Sequence, residues 1–175
     1  MFKIETPRLT IVQTSDRYLN DYYQEFTSEI TKYQYPEPFS SLQQAKLAQE
    51  RFLELMAAGK FLELVIIDKE ANFLGSLQVI DLPCDHPEIG IWLKSSAQNK
   101  GYGYEALNYL LDYLNQNYYK ESYTYEADLR NTASLKLVAR FKVKTLELNS
   151  IITASGKRLY LQKFYFNKWE LLSLS

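Results

Sequence analysis

Gln98-Asn99-Lys100-Gly101-Tyr102-Gly103 stands between a short apolar strand pattern and a long amphipathic helix pattern. Its two glycines let the main chain approach a ligand closely and adopt positive φ. The first N–H groups of the helix that follows have no intrahelical partner and point towards the loop, which favours negative charge there. The stretch therefore predicts an anion-binding loop at a helix start, with a phosphate or pyrophosphate as the natural ligand.

The length and charge indicate one ordinary folded domain, residues 1–175, that binds neither metal nor nucleic acid. A chain of 175 residues is long enough to bury roughly 70% of its unfolded surface, which provides a core without a disulfide or metal. The formal net charge is -1, and acidic and basic residues are interspersed. This pattern argues against the broad positive field that sequence-independent nucleic-acid binding requires.

The apolar runs and the cysteine count favour a cytoplasmic protein. The longest apolar run, 61–67, is interrupted by Glu63 and is far shorter than a bilayer span. The first residues lack the apolar core of a signal peptide. Cys84 is the single cysteine, so it cannot form an internal disulfide, which fits a reducing compartment. We therefore expect no membrane association.

Hydrophobic periodicity predicts an α+β chain. Helices are predicted at 15–26, at 41–58 behind the capping-box pattern Ser41-Leu42-Gln43-Gln44, after the glycine loop with a leucine stripe, and after Asn131 as N-cap. Strands are predicted at 8–13, 61–67, 73–80, 88–93, 123–127, 144–148 and 159–166. The segments 61–67 and 73–80 form an expected hairpin, and the helix between 88–93 and 123–127 makes those two strands parallel.

The glycine loop also fits a dinucleotide-binding fingerprint. Gly101-Tyr102-Gly103-Tyr104-Glu105-Ala106 matches G-x-G-x-x-A, and Glu126 follows at about the twenty-residue distance that the fingerprint requires. In a dinucleotide fold, however, the first glycine follows its strand almost at once, whereas residues 94–100 intervene here. The preceding hairpin is also foreign to a doubly wound sheet. This interpretation is therefore the weaker one.

The longer pattern Gln98-x-x-Gly101-x-Gly103 resembles the signature of the GNAT superfamily of N-acetyltransferases. Three further segments carry the resemblance in the same order along the chain, and they are Glu5-Thr6-Pro7-Arg8-Leu9, Glu88-Ile89-Gly90-Ile91-Trp92-Leu93 and Asn131-Thr132-Ala133-Ser134. Together they look like the branch that includes the ribosomal-protein N-terminal acetyltransferases.

The resemblance implies a GNAT fold: a mixed, mostly antiparallel twisted sheet of about six or seven strands with a parallel central pair, flanked by about four helices. It implies acetyl-CoA as cosubstrate and a primary amine, of a protein N-terminus or a small molecule, that attacks the thioester directly. A non-catalytic CoA-binding protein of the same fold is the alternative. A homodimer is possible.

The resemblance also assigns cofactor-binding residues. The pyrophosphate of coenzyme A is expected on the loop and helix start formed by Gln98, Asn99, Lys100, Gly101, Tyr102, Gly103 and Tyr104. In the family, the pantetheine arm pairs with main chain where two strands splay apart, and Trp92, Leu93 and Lys94 occupy that stretch. Asn131 and Ser134 match the position that meets the coenzyme A sulfur.

Two residues are the expected catalytic groups by the same resemblance. Glu88 begins its strand where several family members carry a general base, and Ser134 is placed to protonate or hydrogen-bond the departing thiolate. The plainer interpretations are a solvated strand end for Glu88 and a local helix cap for Ser134. Many relatives carry a tyrosine acid at the position of Val138 and a Gly-Phe pair at Lys142-Val143, so loss of activity is an open alternative.

Two other groups of residues have weaker claims to function. Cys84-Asp85-His86 combines side chains that can bind metal, but three adjacent residues without a distant partner do not make a site. Several tyrosines fall where this branch places acceptor-side helices and loops, and packing is the expected role of Tyr18, Tyr22, Tyr23, Tyr33 and Tyr35.

Overall fold

The computed structural model describes residues 2–167, with the backbone alone described for Asn167. The strands are β1 (Lys3–Glu5), β2 (Leu9–Gln13), β3 (Phe61–Asp68), β4 (Phe73–Ile80), β5 (Glu88–Leu93), β6 (Ser122–Asp128), β7 (Val143–Ile152) and β8 (Arg158–Asn167). The α-helices are α1 (Leu19–Glu25), α2 (Leu42–Ala57), α3 (Tyr102–Asn117) and α4 (Thr132–Val138). Short 3-10 turns cover Asp16–Tyr18, Ile30–Tyr33 and Ser95–Ala97.

All described strands join one sheet with the order β1-β2-β3-β4-β5-β6-β8-β7. Neighbouring strands are antiparallel except β5 and β6, which are parallel because α3 crosses between them. Their register pair is Glu88 with Thr124, and the Thr124 N–H donates to the Pro87 carbonyl at 2.9 Å. Beyond this pair the two strands diverge, so the sheet contains a fork that opens towards the end of β5.

The α+β class, the mixed sheet and its parallel central pair are confirmed, and the described sheet has eight strands instead of six or seven. The additional strand, β1, has only one buried apolar residue, Ile4, and so carries little periodicity. The expected helix at 15–26 divides into the turn Asp16–Tyr18 and α1. The sequence Trp169-Glu170-Leu171-Leu172, whose apolar residues predict an interface or a packing segment, lies outside the described residues.

The helices bury the faces that the sequence predicts. The Ser41 hydroxyl caps α2 by accepting the Gln44 N–H at 3.1 Å. The predicted leucine stripe of α3 lies fully buried against one face of the sheet, at Leu107, Leu110, Leu111 and Leu114.

The opposite face of the sheet carries an aromatic cluster under α1. Its aromatic members are Tyr18, Tyr22, Phe26, Phe73 and Trp92. Gly75 on β4 allows the backbone of β5 to approach β4 closely, because a Cβ on Gly75 would lie 2.1 Å from the Trp92 carbonyl oxygen. The close approach fixes β5 against β4 and leaves the other edge of β5 facing the fork.

Candidate active site

Two cavities meet at the fork between β5 and β6. The helix-side cavity, of about 460 Å³, lies between the start of α3, α4 and the turn Ile30–Tyr33. The strand-side cavity, of about 320 Å³, lies over β4, β5 and β6. Residues that line both are Tyr33, Gln34, Ile91, Trp92, Tyr125, Asn131 and Ser134. The site therefore has two compartments that share one boundary.

The glycine loop adopts the helix-start geometry that the sequence predicts, with one correction. Gly101 is the N-cap of α3 and has φ +82°. Gly103 lies within the first turn of α3 and does not use positive φ, and Asn99 adopts it instead, at φ 59°. Gly103 packs between Leu93 and Leu137, each 3.6 Å from where a Cβ would lie, which is ordinary contact distance.

Five of the predicted loop residues line the helix-side cavity, and they are Gln98, Asn99, Gly101, Gly103 and Tyr104. The Gln98 side chain also fastens the loop to β5, since its Nε2 donates to the Leu93 carbonyl at 3.0 Å. Lys100 is exposed. The centre of the Tyr102 ring lies 4.7 Å from the guanidinium carbon of Arg8, and the Tyr102 side chain is partly buried against the core.

Arg8 holds this loop from the N-terminal side, a role that sequence reasoning missed. Its Nη1 donates to the Lys100 carbonyl at 2.9 Å, and its Nε contacts the Glu105 carboxylate at 2.6 Å. Burial acts to raise the pKa of Glu105, but hydrogen bonds from Thr6 and Arg8 hold it below its usual value. The anion loop and the first turn of α3 are thus bound to the same cation.

Two further cations on the helix-side cavity were missed as well. Lys136 and Arg140 line it from α4 and the turn after α4. The Arg140 guanidinium carbon lies 3.7 Å from the centre of the Tyr104 ring. Their four-residue spacing within the helix predicted after Asn131 is a signal that could have found them.

Of the predicted stretch Trp92, Leu93 and Lys94, only Leu93 has its main-chain groups on the free edge of β5. The Lys94 N–H donates to the Leu74 carbonyl on the β4 side, and the Trp92 carbonyl faces Gly75. N–H and C=O groups of one residue share a side of an antiparallel strand, and the side alternates along the strand. Leu93 and Ile91 therefore present their main chain to the fork.

Glu88 lies in the strand-side cavity at the base of the fork. Burial raises the pKa of its carboxyl to about 7, with a contribution from Glu126, while Lys163 acts in the opposite direction. Lys163 is itself paired with Glu126, with 3.1 Å between Nζ and Oε1. Glu88 is thus a half-buried carboxyl that ionises close to neutral pH.

Ser134 stands on the boundary of the two cavities with a tyrosine beside it. The Asn131 side chain caps α4 by accepting the Ser134 N–H at 3.1 Å, as predicted. Burial is the main cause that raises the pKa of Tyr125, and hydrogen bonding to the Ser134 side chain opposes it. Val138 is packed in the core, 2% exposed. The phenol beside Ser134 therefore belongs to Tyr125 on β6 and not to a tyrosine at position 138 on α4.

The remaining candidate residues lie either away from the two cavities or in the cavity walls. Tyr18 is buried, and Tyr22, which is also buried, lines the strand-side cavity with Tyr33 and Tyr35. His86 Nδ1 lies 2.8 Å from the Ser122 hydroxyl. Within residues 2–167, no cluster of three or more His, Cys, Asp or Glu side chains could hold a metal ion. In the same range, the helices are too short or too polar to cross a membrane.

A mixed sheet that forks at its parallel pair, beside an anion loop at a helix start, defines an acyl-CoA-binding class of protein. Residues 8–144 match the family model described as the acetyltransferase (GNAT) domain. The chain belongs to this family. A search of curated protein sequences found no match.

Solved structures share the fold at low sequence identity. The spermidine N-acetyltransferase from Vibrio cholerae, in complex with CoA and spermine, is 16% identical, with a TM-score of 0.83 over 95% of this chain and 99% of that one. RimL, a ribosomal L7/L12 alpha-N-protein acetyltransferase in complex with coenzyme A, is 14% identical, with a TM-score of 0.83 over 95% and 98%. The microcin C7 self-immunity acetyltransferase MccE, in complex with acetyl-CoA and AMP, is 16% identical, with a TM-score of 0.82 over 93% of both chains.

Family membership confirms the predicted activity class. The protein is an acetyl-CoA-dependent N-acetyltransferase, and acetyl-CoA is its cosubstrate.

Proposed function

We propose that this enzyme transfers an acetyl group directly from acetyl-CoA, held in the helix-side cavity, to a primary amine held in the strand-side cavity. The observation that carries this proposal is the shared boundary of the two cavities, where Ser134 and Tyr125 line both sides. An acetyl group that crosses this boundary meets the amine close to Glu88, so no covalent enzyme intermediate is required.

The helix-side cavity suits coenzyme A in charge and in backbone geometry. The N-terminus of α3 offers main-chain N–H groups and a positive dipole end to the pyrophosphate, through the stretch from Gln98 to Tyr104. Lys136 and Arg140 supply positive charge on the same cavity. Ile91 and Leu93 offer main-chain groups at the fork for the amide groups of the pantetheine arm.

Glu88 is the proposed general base. A lysine amine in water has a pKa of about 10.4 and a chain terminus about 7.7 to 8.0, so the nitrogen must lose a proton before or during attack. A carboxyl with a pKa of about 7 is a far better proton acceptor than an ordinary glutamate, yet a large fraction of it is still ionised at neutral pH. As the C–N bond forms, Glu88 takes a proton from the nitrogen.

Ser134 is the proposed group for the departing thiolate. When the C–S bond breaks, the electron pair stays on sulfur, and the Ser134 hydroxyl donates a hydrogen bond or a proton to it. Tyr125 lies beside this hydroxyl on the shared boundary, where its phenol can support it. Position 138 carries a valine and so supplies no hydroxyl, which is the ground for the alternative of a non-catalytic binding protein. In this proposal Tyr125, on β6, supplies a hydroxyl beside Ser134 instead.

A thiol-release assay tests the proposal. Acetyl-CoA is supplied with a panel of amines and N-terminal peptides, and free coenzyme A is measured. We expect amine-stimulated release that falls by about 10²- to 10⁴-fold in Glu88→Gln, the usual effect of losing a general base. Glu50→Gln, an identical change on the exposed face of α2, is the matched control. Coenzyme A binding without stimulated release across the panel would establish the binding-protein alternative.

Three finer assignments are part of the proposal. Protein N-termini lead the list of acceptors because of the resemblance to the ribosomal-protein N-terminal branch. The other two assignments are that the protein is cytoplasmic and that it forms a homodimer. Cell fractionation tests the location, and light scattering tests the oligomeric state.

A further inference from the structure

A buried carboxyl lies in the sheet beneath the strand-side cavity and is not used in the mechanism above. Glu63, on β3, is fully buried at 0% exposure. It shares a very short hydrogen bond with the Ser76 hydroxyl and accepts a second one from Gln78 Nε2 at 2.6 Å, both residues being on β4. Burial raises the pKa of Glu63 to about 8, although its hydrogen bonds to Ser76, Gln78 and Tyr22 act to lower it.

The Glu63 carboxyl fixes the orientation of the Gln78 amide, because its Oε2 accepts from Gln78 while the carboxyl proton lies on Oε1 in the short hydrogen bond with Ser76. Because Nε2 donates to Glu63, the carbonyl oxygen Oε1 must point the other way. It lies over Gly90, where a Cβ would be only 3.5 Å from it. Gln78 and Gly90 both line the strand-side cavity, and among residues 2–167 no hydrogen-bond donor pairs with Oε1. An oriented acceptor atom thus faces the space assigned to the amine.

This acceptor is a close neighbour of Glu88. In the β4–β5 ladder, Gln78 is opposite Gly90 and Ile80 is opposite Glu88, so Gln78 and Glu88 are diagonal neighbours on one face of the sheet. Such pairs lie about 7–8 Å apart at Cα, less at Cβ, and long side chains reach across that distance. Gly90 between them carries no side chain. One substrate nitrogen can therefore hydrogen-bond to both groups.

We infer that Gln78 Oε1 is a second binding group for the acceptor nitrogen, that Glu63 is its positioning residue, and that the pair selects a primary amine. This inference rests on the proposed function. A neutral primary amine has two N–H groups and one lone pair. One N–H donates to Glu88 and the other to Gln78 Oε1, which leaves the lone pair directed at the thioester carbon.

The orientation matters for the chemistry as well as for affinity. A nitrogen bound by Glu88 alone can rotate about that single hydrogen bond, whereas two acceptors fix it, which is the kind of positioning that accelerates bimolecular reactions. A secondary amine has one N–H and must leave either Glu88 or Gln78 without a partner.

The test combines enzyme variants with a change in the substrate. The wild-type enzyme is assayed with acetyl-CoA and the fastest primary amine of the panel, and then with the N-methyl derivative of that amine. Both assays are repeated with Gln78→Leu. We expect kcat/KM for the primary amine to fall about tenfold in Gln78→Leu, the usual cost of one hydrogen bond to a reacting group. The preference for the primary over the N-methyl amine should fall by a similar factor.

Further variants separate a contact from a general structural effect. Glu63→Gln keeps the volume but also presents a donor to Gln78, so we expect the same change in amine preference, at smaller size. Gln116→Leu, on the exposed end of α3, is the matched control. The dissociation constant of coenzyme A, measured by calorimetry, should stay within twofold in all three variants, which shows that each one is folded.

The outcomes are distinct. An unchanged kcat/KM for the primary amine and an unchanged preference over the N-methyl amine in Gln78→Leu, with an active wild type, overturn the inference and leave the proposed function intact. A wild type that binds coenzyme A but acetylates no amine of the panel overturns both.

Discussion

The Arg8 guanidinium holds the Glu105 carboxylate, with 2.6 Å between Nε and Oε2, although the two residues are 97 positions apart. The same side chain donates to the Lys100 carbonyl. A residue at the edge of β2 thereby controls the loop on which the coenzyme A pyrophosphate is proposed to lie. These two contacts explain why an arginine occupies position 8 in the segment Glu5-Thr6-Pro7-Arg8-Leu9.

Arg8→Ala should weaken coenzyme A binding about tenfold, because the loop carbonyl loses its donor and Glu105, only 11% exposed at its side chain, loses its cation. Isothermal calorimetry measures the dissociation constant. Arg51→Ala removes an exposed pair with Glu54 on α2 and should leave binding unchanged. Equal binding by the Arg8→Ala variant and the wild type would show that the loop keeps its shape without this contact.

The rate should depend on the ionisation of Glu88. A base is active when deprotonated, so kcat for amine acetylation should rise with pH through an inflection near 7. Glu126→Gln removes a negative charge that raises the pKa of Glu88 and also frees Lys163, which lowers it. The inflection should therefore move to lower pH in this variant. The pH profiles of kcat for both enzymes, with the same amine, check the direction, and a shift to higher pH would contradict it.

Tyr125 and Ser134 should act as one unit in thiolate departure. Tyr125→Phe and Ser134→Ala are each expected to slow thiol release by about tenfold, and the double variant should be little slower than the slower single one. Stopped-flow measurement of coenzyme A release gives the three rates. Fully additive effects would mean that the two hydroxyl groups act independently, and coenzyme A binding should be retained throughout.

The walls of the strand-side cavity favour an amine on an apolar body. Its apolar lining includes Phe26, Ile80, Ile89, Leu159 and Leu161. Of its carboxylates, Glu126 is paired with Lys163, which leaves Glu88 for a cation. We therefore expect kcat/KM for phenylethylamine to exceed that for spermine by at least about tenfold in the thiol-release assay. The reverse order would show that charge, not apolar surface, determines acceptor binding.

Glu63 should make the protein less stable as pH rises. Its pKa in the folded protein is raised from 4.5 to about 8, so between these values the folded state holds a proton that the unfolded state has lost. The free energy of unfolding therefore falls as pH rises through this range. Glu63→Gln should lose less stability than the wild type between about pH 6 and pH 8 in urea denaturation. Parallel curves for the two proteins would place the titrating group elsewhere.

Local sequence patterns were sufficient for the elements that the site is built on. The leucine stripe of α3, the capping serine of α2 and the glycine at the α3 N-cap depend on residues within one or two turns, so periodicity and cap chemistry reveal them. The strand that begins at Glu88 could be predicted from local patterns in the same way, and so could Asn131 as the N-cap of α4. The positions of Gln98 and Ser134 on the cavities follow from these elements.

Other features depend on contacts between distant parts of the chain. Arg8 meets Glu105, Gln78 meets Glu63, and Tyr125 meets Ser134 only because strand order and register bring them together. Local periodicity states which face a residue occupies but not which neighbour it meets across the sheet.

The sequence alone thus predicts a GNAT-type acetyltransferase with a glycine loop at residues 98–103 that opens a helix, because these features depend on neighbouring residues. The folded sheet determines which groups surround the proposed amine site, because burial and cross-strand distance set the pKa of Glu88 and the orientation of Gln78.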